Sequence, residues 1–161
     1  MLRFDAEQHR YFLGDRELPS VTAVLSVLDQ YENVPRAALN AAREFGQHVH
    51  MACDLDNRGV LDEATLDPAL APYLAGWRKY RENTGLEIIA SEMRLHHESY
   101  RYAGTADVFG RLKGRPAVID IKSGLVPKTV GAQTAAYAEC IQHAERESRR
   151  LDRYCVQLMP G

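Results

Sequence analysis

The sequence predicts one mixed α/β domain, helical in its first half and built in its second half on a mixed β-sheet flanked by helices. Three observations carry this. Apolar residues recur at helical spacing through residues 20–84, between cap and stop signals. Residues 86–122 then hold three runs rich in β-branched and aromatic residues. The resulting order of helix, strand, strand, strand, helix, strand leaves a sheet that needs helical cover on its faces. A length of 161 residues suits one domain with its own core rather than two.

Residues 2–13 alternate loosely and break at Gly14-Asp15, which predicts a short strand pair. Ser20 caps a helix whose apolar side is Val21, Val24, Leu25 and Leu28. Asn33 and Pro35 open a second helix that runs to about Asn57-Arg58-Gly59. The third spans about Pro72 to Thr84, with Leu70, Leu74, Trp77 and Tyr80 along one side and Gly85 as its stop. At Leu86 the texture changes. GLEIIASEMRLHH, YRYAGTADVFGRL and RPAVIDIKSG read as strands, and Lys113-Gly114 makes a hairpin turn between the last two. A fourth helix covers Val130 to about Arg146, and LDRYCVQLM closes the sheet with Tyr154, Val156 and Leu158 on one face. Residues 1–85 are thus the mainly helical part and 86–161 the sheet core. The chain ends straight after a strand, so it reads as one that continues past Gly161.

Composition narrows the function classes. No apolar run approaches the roughly eighteen residues that span a bilayer, so no membrane partner is expected. The N-terminus lacks the basic start and apolar block of a signal peptide, which points to the cytoplasm. Cys53, Cys140 and Cys155 form no CxxC pair and are too few for a four-cysteine zinc or iron–sulfur site; they read as small buried apolar residues. A net charge of −2 argues mildly against DNA as a partner. Local fields matter more, because an acidic site lowers the total without repelling phosphate once a cation is bound. Neither a phosphate-loop GxxxxGK[ST] nor a GxSxG nucleophile motif occurs.

The chemistry concentrates in AVIDIKSG, residues 117–124. Asp120 and Lys122 are two apart on a strand and share a face, while Val118, Ile119 and Ile121 mark the strand as central. Only this one of the four lysines (Lys79, Lys113, Lys122, Lys128) has an acid two residues before it. Two charges in a central strand need an account, either as a structural ion pair or as a metal site with an ammonium beside it. Asp107 lies thirteen residues upstream of Asp120, and the turn at Lys113-Gly114 brings both to the same end of an antiparallel hairpin. Two carboxylates on adjacent strands, with waters, suit Mg²⁺.

With those residues in place, the chain resembles the PD-(D/E)XK nuclease superfamily, and within it the RecB-type exonuclease branch that includes phage-encoded exonucleases and the mitochondrial genome maintenance exonuclease. GTAD ending at Asp107 is similar to the first acidic motif and DIKSG to the second. AQTAAYA carries Gln133 and Tyr137 at the spacing of a Q-x-x-x-Y helix motif, GQHVH resembles a G-x-x-x-H motif ending at His50, and LPSVTAVL resembles an early segment of the phage members. The resemblance covers about residues 18–158. It implies a restriction-endonuclease-like core and Mg²⁺- or Mn²⁺-dependent cleavage of DNA phosphodiester bonds. Asp107, Asp120 and Lys122 would be catalytic, with His50, Asp107, Asp120 and the Ile121 carbonyl as metal ligands. Imidazole among the ligands favours Mn²⁺. Gln133 and Tyr137, one turn apart on a helix face, would order the site or touch the DNA backbone. Glu92 is either a further acid near the metal or a salt-bridge partner. His48, His96 and His97 read as solvated, the run at 145–150 as an exposed helix end, and Lys128 and Arg101 as phosphate contacts without specific support. A strand-annealing recombinase is the partner the phage resemblance suggests. Two rivals remain: a catalytically silent scaffold that binds DNA or protein, and a structural ion pair in an unrelated α/β fold. Polarity, strand preference and oligomeric state are not encoded legibly.

Overall fold

The computed structural model describes residues 1–28, 34–145 and 150–160. The N-terminal part opens with an antiparallel meander of Leu2–Asp5 (β1), Arg10–Leu13 (β2) and Arg16–Leu18 (β3). Three strands replace the expected pair. Residues 6–9 form an additional reversal, ending at His9 with a left-handed φ of 50°, and Gly14 turns the next with φ 61°. Tyr11 and Leu18 bury themselves against Ala103 of the main sheet.

Ser20 caps Val21–Leu25 (α1), its hydroxyl accepting from the Ala23 N–H. This helix ends earlier than its apolar pattern implies and passes into a single 3-10 turn at Ser26–Leu28. Val21 is buried, but Val24 and Leu28 are 50% and 66% exposed, so the predicted apolar side does not face the core along its length. Asn33 lies outside the described residues. Pro35 stands at the cap of Arg36–Asn57 (α2), whose buried stripe is Val49, Ala52 and Cys53. Ala71–Thr84 (α3) packs beside α2 and stops at Gly85, left-handed at φ 64°.

Glu87–His97 (β4), Tyr102–Leu112 (β5), Arg115–Lys122 (β6) and Asp152–Gln157 (β7) form the main sheet in that order. The first two junctions are antiparallel, and β6–β7 is parallel. A parallel neighbour requires a crossover, here Val130–Glu145 (α4). Arg146, the expected end of this helix, lies outside the described residues, as does most of the 145–150 run.

The protein is therefore a mixed α/β fold with helices on both faces of its main sheet. Ala117, Ile119 and Ile121 of β6 join Val49, Cys53, Leu74 and Trp77 under α2 and α3. Val118 joins Val21, Phe109, Tyr137 and Ile141 under α1 and α4. A strand covered on both faces reads as a continuous apolar run, and each fully buried Val or Ile contributes about 1.5–3 kcal/mol. Against that background Asp120 and Lys122 are costly residues to place. No helix among the described residues is long and apolar enough to cross a membrane.

Two surface expectations are corrected. Cys53 and Cys140 are buried as expected, but Cys155 is exposed, because β7 turns Tyr154 and Val156 inward and alternate residues outward. His97 is only 5% exposed rather than solvated. Its Nδ1 accepts the Tyr100 N–H, and its ring packs against Tyr100, Tyr102 and His143. His48, Arg101 and Lys128 are exposed, and His96 is half-buried.

Candidate metal centre

The paired register of β5 and β6 runs from Leu112–Arg115 to Val108–Ile119 and ends there. At the next position the strands part, and a side chain replaces a ladder bond: Asp107 Oδ2 accepts the Ile121 N–H at 2.6 Å. Its other oxygen, Oδ1, lies 3.3 Å from His50 Nδ1. His50 comes from α2, one position beyond the buried Val49, which is how a core-packing helix brings an imidazole to the sheet. The second ring nitrogen, Nε2, is 2.8 Å from the Ile121 carbonyl. An Nε2–H donating to that carbonyl leaves Nδ1 bare and facing the acids, the arrangement by which an outer partner fixes the tautomer of a metal-binding imidazole.

Glu92 completes this half. Ser91 pairs with Val108 and Met93 with Ala106, which sets Glu92 across from Asp107. Its backbone is left-handed, φ 49°, a strain of roughly 1–3 kcal/mol of the kind that gathers at functional sites. Glu92 Oε1 is 4.0 Å from His50 Nδ1. Each of His50, Glu92 and Asp107 offers a ligand atom, and these atoms all lie within 4.8 Å of one another. Ligands about 2.0–2.6 Å from one divalent cation stand at most roughly 5 Å apart, so the trio is close enough that it could hold one.

The other half is already paired. Lys122 Nζ donates to Asp120 Oδ1 at 3.0 Å and lies 2.8 Å from Oδ2, off the direction of a hydrogen bond. Asp120 is 1% exposed, and its Oδ2 has no hydrogen-bond partner among the described residues. Lys122 reaches Gln133 Oε1 at 3.4 Å, and Gln133 Nε2 donates to the Tyr137 hydroxyl at 3.2 Å. The i, i+4 spacing of Gln133 and Tyr137 thus faces the sheet from α4.

Charge states follow from these neighbours. Burial opposes the His50 cation, but the Asp107 and Glu92 carboxylates outweigh it and raise its pKa to about 9. Burial, with Asp107 opposite, pushes Glu92 up to about 7. For Asp107 burial works upward, yet His50, Lys122 and the Ile121 N–H hold its pKa below the usual carboxylate range. Asp120 is pushed up to about 6 by burial and by Asp107, against the pull of Lys122. With His50 neutral, three carboxylates against one ammonium leave two negative charges, which a divalent cation cancels.

The structure therefore brings together His50, Glu92, Asp107, Asp120, Ile121, Lys122, Gln133 and Tyr137, but in two groups, and leaves the exposed Arg101 and Lys128 out of both. Asp120, expected as a ligand, stands with Lys122, Gln133 and Tyr137. The Ile121 carbonyl, also expected as a ligand, accepts from His50. Glu92 forms an ion pair with His50 and belongs with His50 and Asp107 to the group that could hold a metal, so both of its expected roles stay open. Its mid-strand left-handed φ leaves no mark in a single sequence. No protein-family model matches this chain, and no curated protein matches it either.

Proposed function

We propose that this protein is a metal-dependent DNA nuclease of the PD-(D/E)XK type that hydrolyses phosphodiester bonds in a cytoplasmic setting. One observation carries the reading: His50, Glu92 and Asp107 gather ligand atoms within 4.8 Å of one another beside the buried Asp120–Lys122 pair. Without a metal the same side chains form ion pairs, His50 with Asp107 and Glu92, and Lys122 with Asp120, so metal-dependent cleavage is what separates the two readings.

His50, Glu92 and Asp107 would hold Mg²⁺ or Mn²⁺, with imidazole favouring Mn²⁺. The bound cation supplies Lewis-acid polarisation of the phosphate and lowers the pKa of water. The Ile121 backbone acts from both sides, its N–H fixing Asp107 and its carbonyl fixing His50. Lys122 offers N–H donors to phosphate oxygens and offsets charge that grows during attack. Asp120 keeps that ammonium charged and in place, and Gln133, steadied by Tyr137, limits where it can swing.

The test is incubation with linear and circular duplex DNA and Mn²⁺, with Lys122→Ala as control. Loss of the linear form alone identifies an exonuclease, the activity expected here, and loss of both an endonuclease. Binding without any Lys122-dependent loss would establish a silent scaffold and overturn the proposal.

A further inference from the structure

The Tyr137 ring occupies the space over Gly104 that a side chain there would need. Gly104 lies on β5, three residues before Asp107, and is buried. A methyl group at its Cβ position would sit 2.6 Å from Tyr137 Cε1 and 3.4 Å from Val21 Cγ2. Carbon atoms in contact rest about 3.5–4.0 Å apart, so the ring would have to move. That ring is no loose end: Tyr137 is 4% exposed, packed among the residues under α1 and α4, and its hydroxyl accepts from Gln133. Backbone freedom does not explain the glycine. Among the described residues the positive-φ glycines are Gly14, Gly59, Gly85 and Gly114, and Gly104 is not one of them. Space is what this position supplies.

Resting on the nuclease reading above, we propose that Gly104 is a positioning residue of the catalytic site. Its bare backbone seats the Tyr137 ring against β5, so that the hydroxyl orients Gln133 and Gln133 confines the Lys122 ammonium. The chain of contacts runs Gly104, Tyr137, Gln133, Lys122. It leaves the group His50, Glu92 and Asp107 untouched, so metal binding and turnover should separate when Gly104 changes.

The experiment compares wild type, Gly104→Ala, Gln133→Ala and the double variant in Mn²⁺-dependent cleavage of linear DNA, with Mn²⁺ affinity measured by calorimetry. Each single substitution is expected to lower kcat by about 10–100-fold, as small misplacements of reacting groups do. Mn²⁺ affinity should stay at the wild-type value, and the double variant should be no slower than the slower single. Wild-type kcat in Gly104→Ala, or losses that multiply in the double variant, overturns the proposal. A second cycle reads packing without activity. Gly104→Ala should lower Tm when Tyr137 is present and leave it unchanged in a Tyr137→Ala background, whereas equal losses in both backgrounds overturn the seat itself. If wild type cleaves no DNA, the nuclease reading falls and takes the catalytic role of Gly104 with it, while this second cycle still decides the packing.

Discussion

Asp107 and Asp120 come from neighbouring strands, are 9% and 1% exposed, and are nevertheless held in opposite ways. Asp107 collects His50, the Ile121 N–H and the field of Lys122, so its carboxylate stays charged well below the usual range. Asp120 has the Lys122 ammonium and a second oxygen with no hydrogen bond among the described residues, and burial together with the Asp107 charge lifts it to about 6. The difference teaches that burial alone does not set a carboxylate's charge; the count of donors aimed at it does. It also divides the site into a half whose atoms could hold a cation and a half that carries its own.

The widest separation between the halves should appear in paired alanine variants. Asp107→Ala removes a ligand and the anchor of Ile121, so both Mn²⁺ binding and cleavage should vanish. Lys122→Ala should keep Mn²⁺ binding while cleavage falls about 10²–10³-fold, the usual loss for one stabilising donor. Calorimetry with Mn²⁺ beside a cleavage assay reads both, and loss of metal binding in Lys122→Ala would erase the division.

Neutralising the two acids without shortening them should split them again. Asp107→Asn gives up the charge assistance of a hydrogen bond worth about 1.5–3 kcal/mol, or a Tm drop of roughly 3–12 °C in a chain of this size. Asp120→Asn removes a charge that burial already disfavours, so its Tm in metal-free buffer should change by less than half as much. Equal drops in thermal melts would mean that the donors around Asp107 do not matter.

How much of this was legible in the sequence follows the same line. Alternating and helical patterns mark burial, so the central strand, the Ser20 cap, the Gly85 stop and the side-by-side placement of Asp120 and Lys122 could all be read. So could the shared end of Asp107 and Asp120, because a hairpin turn fixes register. Which atoms a carboxylate faces could not be read. Nothing in the sequence signals that Asp107 replaces a ladder bond at Ile121, or that Glu92 adopts a left-handed φ in mid-strand. Leu28 misled because its helical spacing continues where the helix itself stops, and Val24 lies within the helix but on its exposed side.

Proton linkage gives a smaller but directional test. Glu92, Asp120 and His50 all have folded pKa values above their ordinary ones, near 7, 6 and 9. A raised pKa means the folded protein binds the extra proton, and that contribution is lost as pH rises through the folded value. Asp107 acts the other way, but only below the usual carboxylate range. Metal-free protein should therefore lose Tm steadily from about pH 5 to 9. Saturating Mn²⁺ should reverse the trend, because ligation requires His50 and Glu92 to release their protons. Melts in EDTA and in Mn²⁺ at pH 6 and 9 decide it; parallel curves would separate these residues from the metal.

The gentlest perturbation acts from outside the site. Ser20→Ala removes the cap of α1 and should cost about 1 kcal/mol, some 2–4 °C in Tm. Val21 of that helix lies 3.4 Å from where a Gly104 side chain would begin, over the Tyr137 ring. Loosening α1, which packs on α4 and on β5, therefore acts first on the Tyr137 side of the sheet, opposite the side covered by α2. A severalfold fall in cleavage at unchanged Mn²⁺ affinity would show that the two halves are supported by different elements of the fold. An equal weakening of metal binding would show that they share one support, and the division argued from Asp107 and Asp120 would then be one of charge alone.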